Sequence, residues 1–546
     1  MPTIRRIYWY LALTVGLAVT FAGLSQLGSI GLELLRQWGR AGIHLPPDEL
    51  SRAVAFTLVG LAIWIGHMVA IVRAVGRDDR GARVERGSPI RATVLTVTIV
   101  ALLAAVAVSA YQLVDEWVGT AFGERFLTWE RLDVAAQTAL IIVALALAIP
   151  SIAWRIADHR RAPAHLADDL ATRVGVYGLL AGATLLSLVG IADLLAASIR
   201  GIAGIDWETL RGAMASAVAM LAIGAPAVLV LGWAAGRLAR AEDPIGVAHR
   251  RSRVRAAGWQ AVVLGGAIAL GLGLAQTIGG AAAWIAGTPG VGDLGLRLLD
   301  VAGPLLVAVP FAIAALLSAR RARGEGRVAD GEPGARTALR VSALTVAMTG
   351  VVLLADGAIR LIVIVLSPIL PASTVLLGGG AGDPDLGPAI GMLLAGLVLW
   401  APAWALLATL RSVDPVGEAA AMTRRGALVL TGLGALVVSV VSGAFLLDRL
   451  LREALGGRIP ADGAGVTSFA VLAVALAVLL FHAVELWRDL RLLRGIPVTG
   501  DAVDVAIAEE LDLVLPGGTD VEALNERIRA LLPPGTTLRV RRHAHG

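Results

Sequence analysis

His67 and His482 lie inside long apolar runs, each six residues before an arginine, Arg73 or Arg488. That interval is about 9 Å along a helix. A neutral imidazole at such a depth can relay a proton or take a cation. Glu485 follows His482 by three residues, on the same helix face. Asp193, Asp356 and Arg360 complete the set of intramembrane polar candidates. Asp356 and Arg360 stand four apart, so one helix face lets them pair. The plainer role for all six is a side chain bonded to a neighbouring helix or reaching toward the headgroups.

No catalytic signature accompanies these residues. The chain has no G-x-S-x-G, H-E-x-x-H or P-loop string. Cysteine is absent, which excludes disulfides, thiolate ligands and cysteine nucleophiles. Lysine is absent too, so all 47 basic residues are arginine and no Schiff base can form. His44, His159, His165 and His249 fall in loops, and His543 and His545 near the end. None has a second ligand at zinc spacing. The expectation is a protein without metal or cofactor that is not an enzyme. The net charge of +5 is small for 546 residues, and no basic, aromatic-studded groove points to nucleic acid.

The elements that must position the candidates are membrane helices. Charged residues make up 16% of the chain, against about 25% in soluble domains. Residues 53–72, 134–154, 212–236, 386–410, 426–447 and 463–484 contain no Asp, Glu, Lys or Arg. About 20 such residues cross a ~30 Å hydrocarbon core. Twelve spans emerge, two to a block. The second span of each block carries a central Pro or His: His67, Pro150, Pro226, Pro310, Pro402 and His482. Their near-equal spacing marks six internal repeats.

The blocks run 4–80, 86–161, 165–241, 250–323, 334–413 and 424–495. An even number of spans per block gives every copy the same orientation, so they are parallel and not inverted repeats. Arginine fixes that orientation. The N-terminus and the loops that join the last span of one block to the first of the next, through Arg494, hold 30 arginines, the loops between the two spans of a block 12, and the tail the other five. The arginine-rich side is cytoplasmic, and both termini lie there. Polar residues recur near the outer ends of the first helices: Gln26, Gln112, Asp193, Gln276, Asp356 and Asp448. They read as interhelical hydrogen-bonding groups that set register, or as a polar ring around an outer vestibule.

An inner arginine, an apolar helix ending on a polar residue, a variable outer loop and a helix with a central Pro or His ending in a Trp/Arg cluster form one pattern. It resembles a two-helix bacterial integral-membrane domain of unknown function that occurs in tandem. The likeness covers about residues 4–495, in six copies. It implies a multipass membrane protein and supplies no activity or site.

The segment 496–546 differs in character. Asp501, Asp504, Glu509, Glu510 and Asp512 make it acidic. Residues 511–515 predict a strand. Thr519 with Glu522 forms a capping box for a helix to about 532, and residues 537–542 predict a second strand. The fold class expected is therefore an all-α polytopic membrane bundle of about 12 helices in six parallel two-helix repeats, with a small cytoplasmic α/β tail.

The function this composition favours is structural, scaffolding or regulatory, in the cell membrane. Membrane lipids are its partners, with a candidate protein partner for the tail. The alternative is a transporter or channel whose path runs between repeats. A closed ring of repeats would bring His67 beside His482. A row would keep them apart.

Overall fold

The computed structural model describes residues 3–36, 47–75, 85, 88–123, 134–161, 170–240, 246, 249, 252–286, 294–366, 386–454 and 464–494. The predicted strand–helix–strand tail, 496–546, lies outside them. The described residues are helical, with no strand. Among the described residues twelve helices are long and apolar enough to cross a membrane.

In chain order the helices are α1 (Thr3–Arg36), α2 (Pro47–Val75), α3 (Pro89–Ala121), α4 (Val134–Arg161), α5 (Leu170–Ile202), α6 (Trp207–Arg240) and α7 (Arg253–Ile285). The stretch Leu294–Leu366 bends at Asp330 and Gly331, giving α8 (294–329) and α9 (332–366). Next come α10 (Leu386–Val413), the short α11 (Pro415–Ala420), α12 (Met422–Ala454) and α13 (Ala464–Arg494).

Local chemistry sets several of these boundaries. Asp206 precedes α6 and accepts from Thr209 N at 2.9 Å and Thr209 Oγ1 at 2.6 Å. Those hydrogen bonds, the hydroxyl's first, hold the Asp206 carboxyl below its usual range. Glu208 in the first turn and Arg237 and Arg240 in the last complement the helix dipole. The inner loop expected between the fourth and fifth blocks is largely helix instead. Its Arg, Glu and Ala residues sustain the helix beyond the bilayer. The break waits for Gly331, at φ +68°, followed two residues later by Pro333.

Consecutive helices pack as antiparallel pairs. On α1 and α2, Gly16 meets Ile63 and Trp64, Thr20 meets Gly60, and Gly23 meets Thr57. On α5 and α6, Ser187 meets Gly224. On α7 and α8, Gly266 faces Phe311 and Gly273 faces Pro304. On α9 and α10, Gly350 faces Gly396 and Trp400. Small residues bring backbones together, and dispersion then holds helices that lipid solvates as well as protein does. Pro150, Pro226, Pro310 and Pro402 sit inside helices that continue through them.

The pairs join in a regular way. α1 packs on α4, α3 on α6, α5 on the α8–α9 stretch, α7 on α10, and the α8–α9 stretch on α13. The first helix of each pair therefore meets the second helix of the next. Apolar clusters fill these joints: Leu17, Leu102 and Leu147 in one, Leu188, Val262 and Phe311 in another. Among the described residues no packing interface joins α1 or α2 to α13.

Candidate functional site

The most heavily buried charges gather at the arginine-rich ends of the helices. Arg91 is the third residue of α3 and is fully buried. Its Nε donates to Asp158 Oδ2 on α4 at 2.7 Å, and its guanidinium stacks 4.3 Å from the Trp154 ring centroid. Arg91 Nη1 also approaches Tyr10 OH on α1 at 3.5 Å. Tyr10 donates to Glu85 Oε1 at 2.9 Å. One arginine thus closes the third helix on the fourth and on the first.

The arrangement recurs. Arg255, the third residue of α7, donates from Nε to Glu325 Oε1 at 2.8 Å, and Trp259 Nε1 holds Glu325 Oε2 at 3.0 Å. The Arg255 guanidinium lies 6.0 Å from the Tyr177 ring on α5, and Tyr177 OH pairs with His249 Nδ1 at 3.0 Å. Arg424, the third residue of α12, donates from Nε to Asp489 Oδ2 at 2.9 Å and from Nη2 to Glu485 Oε2 at 3.1 Å. Arg340 on α9 clamps Glu418 through Nε and Nη2 at 2.7 and 2.5 Å.

These residues occupy matched positions. Arg91, Arg255 and Arg424 recur at one nearly constant interval, and Asp158, Glu325 and Asp489 recur at the same one. Six residues before each arginine comes Glu85, His249 or Glu418. Tyr10, Tyr177 and Arg340 meet those three groups from α1, α5 and α9. The contacts therefore repeat every four helices: α1–α4, α5–α8 and α9–α13 carry one clasp each.

Chemically the clasps are ion pairs. Each joins a guanidinium to a carboxylate by short charge-assisted hydrogen bonds, and Arg91 Nη2 is a buried clasp nitrogen without a hydrogen-bond partner among the described residues. The last clasp is the largest. Arg411 donates to Glu485 at 3.0 Å and faces Asp489 at 3.0 Å, and Arg488 reaches Glu485 Oε1 at 2.7 Å. Glu485, a candidate from its place beside His482, is thereby the acceptor for three arginines.

His482 is buried, and its Nδ1 lies 2.8 Å from the Val478 carbonyl. A carbonyl only accepts, so Nδ1 carries a proton. Nε2 has no hydrogen-bond partner among the described residues. His67 makes the same bond, Nδ1 to Ile63 O at 2.8 Å, and rests edge-on against Tyr8 at 5.7 Å. The two histidines are not brought together. Asp356 accepts from Arg360 Nε at 2.8 Å along α9, both about 40% exposed, as their spacing predicts. Asp193 lies half-buried on α5, seven residues before Arg200.

Arg200 and Gln276 are the polar side chains of a cleft of about 330 Å³ between α5, α7 and α8. Ile199, Gly273, Pro304 and Phe311 form its apolar wall. None of the six candidates lines it. Among the described residues no group of three or more His, Asp or Glu side chains could hold a metal ion.

The clasps escaped the sequence reading because their arginines served there only to orient the spans. Their signal was the common interval, one four-helix unit long, shared by the three arginines and the three acids.

Residues 6–144 match the family model of a domain of unknown function, DUF5671. The match opens in α1 and ends inside α4, so it takes in most of the first four-helix set. The likeness to a membrane domain of unknown function holds over this part of the chain. No curated protein and no solved structure matches. DUF5671 thus supplies a likeness for the first three helices and the start of the fourth, and no chemistry.

Proposed function

We propose that this protein is a structural, scaffolding or regulatory multipass protein of the cell membrane, with both termini cytoplasmic and no enzymatic activity. One observation carries the reading. The deeply buried ionic groups Arg91, Asp158, Arg340, Glu418, Arg424 and Asp489 are tied to neighbouring helices, where they fix the assembly. Catalysis or transport needs polar groups turned toward a substrate. The apolar clusters between helices are built of small, aliphatic and aromatic side chains, and the polar groups of the α3–α6 joint, Tyr111, Ser216 and Asp115, bond to one another.

In this reading the six two-helix repeats stand in a row and combine by twos into three four-helix units. Membrane lipids are the primary partners, and the acidic tail takes a protein partner at the inner face. Neither a cofactor nor nucleic acid takes part. The test is flux. Purified protein in sealed liposomes should leave proton, K⁺ and Cl⁻ leakage at the level of empty vesicles. A saturable, protein-dependent flux would replace this reading with a transporter whose path runs between repeats.

A further inference from the structure

The joint between four-helix units is made twice by the same positions. Asp115 on α3 stands as far beyond Arg91 as Gly279 on α7 stands beyond Arg255. Asp115 Oδ1 accepts from Ser216 Oγ on α6 at 2.8 Å. Gly279 packs on Gly387 and Pro388 of α10. Four residues earlier, Tyr111 reaches Ser216 and Ala275 abuts Gly391. On the receiving helices, Gly224 and Gly396 give the register, since both face the preceding helix at Ser187 and Leu354. Ser216 and Pro388 each stand eight residues before that glycine.

The third unit repeats the donor side of this joint on an open face. Ala444 and Asp448 on α12 stand beyond Arg424 as Tyr111 and Asp115 stand beyond Arg91, and both are exposed. The first unit repeats the receiving side. On α2, Gly60 faces Thr20, and eight residues before it comes Arg52, with Ala55 between. Arg52 and Ala55 are exposed. Among the described residues α2 has its main interface with α1, and its Trp64, Met68 and Ile71 reach clusters shared with α3 and α4 of the same unit, whereas α6 and α10 each take a helix of the preceding unit. In both α2 and α12, 17% of the most apolar stretch is buried, the least of the twelve helices.

We propose that copies of this chain associate head to tail in the membrane, α12 of one copy seating on α2 of the next. The contact continues the internal joint by one more step. It places Ala444 against Ala55, two small side chains that admit close backbone approach. It also sets Asp448 against Arg52, where the first internal joint has Asp115 against Ser216. The opposite charges fall at matched positions on the two open faces, near the outer ends of their helices. Such a contact uses two different surfaces, so it propagates into chains or closes into a ring, and does not stop at a twofold dimer. The inference rests on helix packing and stands apart from the scaffold reading.

Cysteine cross-linking in native membranes tests it, because the chain has no cysteine of its own. Ala55→Cys combined with Ala444→Cys should give a ladder of dimers, trimers and higher species with a short thiol cross-linker. Each single substitution should stay monomeric, and the two singles co-expressed should give dimers only. Asp448→Arg in the double-cysteine chain should cut the ladder at least fivefold, and adding Arg52→Asp should restore it. Tyr111→Cys with Ser216→Cys, across the internal joint, serves as the reactive control and should bridge within one chain. A monomeric Ala55/Ala444 pair beside a bridged control would mean that lipid covers both faces and would overturn the proposal. Self-linking of either single variant would overturn it too, because that contact would be symmetric.

Discussion

Arg424 and Asp489 meet at 2.9 Å with side-chain exposures of 2% and 0%, and they close α12 on α13. Arg91 and Asp158 do the same for α3 and α4 at 2.7 Å, with exposures of 1% and 4%. An ion pair so dry cannot lose one member cheaply. Arg424→Ala leaves Asp489 with Arg411 as its remaining partner, and Asp489→Ala leaves Arg424 with Glu485. Each should therefore destabilise by less than a wholly unpaired buried charge, which costs about 3–5 kcal/mol. The double variant should cost less than the sum of the singles. Thermal unfolding in mild detergent, followed by size-exclusion recovery, measures all three. Strict additivity would mean that the two side chains do not depend on each other.

Much of this fold was legible in the sequence. The uncharged runs located the helices because a bilayer permits few other solutions. The pairing of Asp356 with Arg360 followed from helix geometry alone. The clasps did not follow, since Arg91 and Asp158 are far apart in sequence and meet only after two helices have crossed the membrane and returned. An arginine at a helix start reads first as a topology anchor, and nothing local names its partner. The prominent Pro and His residues drew attention to single helices. The four-helix interval, which needs three separated residues at once, was the better guide.

The arginine distribution predicts topology. Reporter fusions after Arg40, Arg125 and Gly204 should report the outside, and fusions after Arg80 and Arg323 the inside. The clasp arginines Arg91, Arg255 and Arg424 are themselves among the arginines of that side, so the clasps share its orientation. A reversal at Arg80 or Arg125 would place these ion pairs at the opposite interface and undo the assignment of both termini.

Gly391 tests the joint between α7 and α10. A Cβ there would collide with the Ala275 carbonyl oxygen, so the two backbones touch and neither side chain can yield. Gly391→Leu should lower stability by about 1–3 kcal/mol through overpacking. Gly178→Leu is the matched control, since nothing lies within 4 Å of a Cβ at that position. It should be neutral or slightly stabilising, as leucine favours helix over glycine. Equal losses at the two sites would show that the close approach of α7 and α10 contributes nothing.

His67 and His482 decide between a row and a ring. α2, which carries His67, packs on α1, while α13 packs on α11, α12 and the α8–α9 stretch. Each histidine donates Nδ1–H to the carbonyl four residues back, a bond that a helix supplies by itself. A shared proton or cation would need the two Nε2 atoms to face each other across a closed ring. In a row they belong to opposite ends of one chain. Nitrogen NMR of histidine-labelled protein in bilayers should therefore show the Nδ1–H tautomer for both, assigned by His67→Gln and His482→Gln. Cysteines introduced at positions 67 and 482 should form no link within one chain, even where each alone reacts fully with a small maleimide. An efficient intrachain link, scored as the product that survives dilution with cysteine-free protein, would close the ring and put a proton or cation site back between the terminal helix pairs.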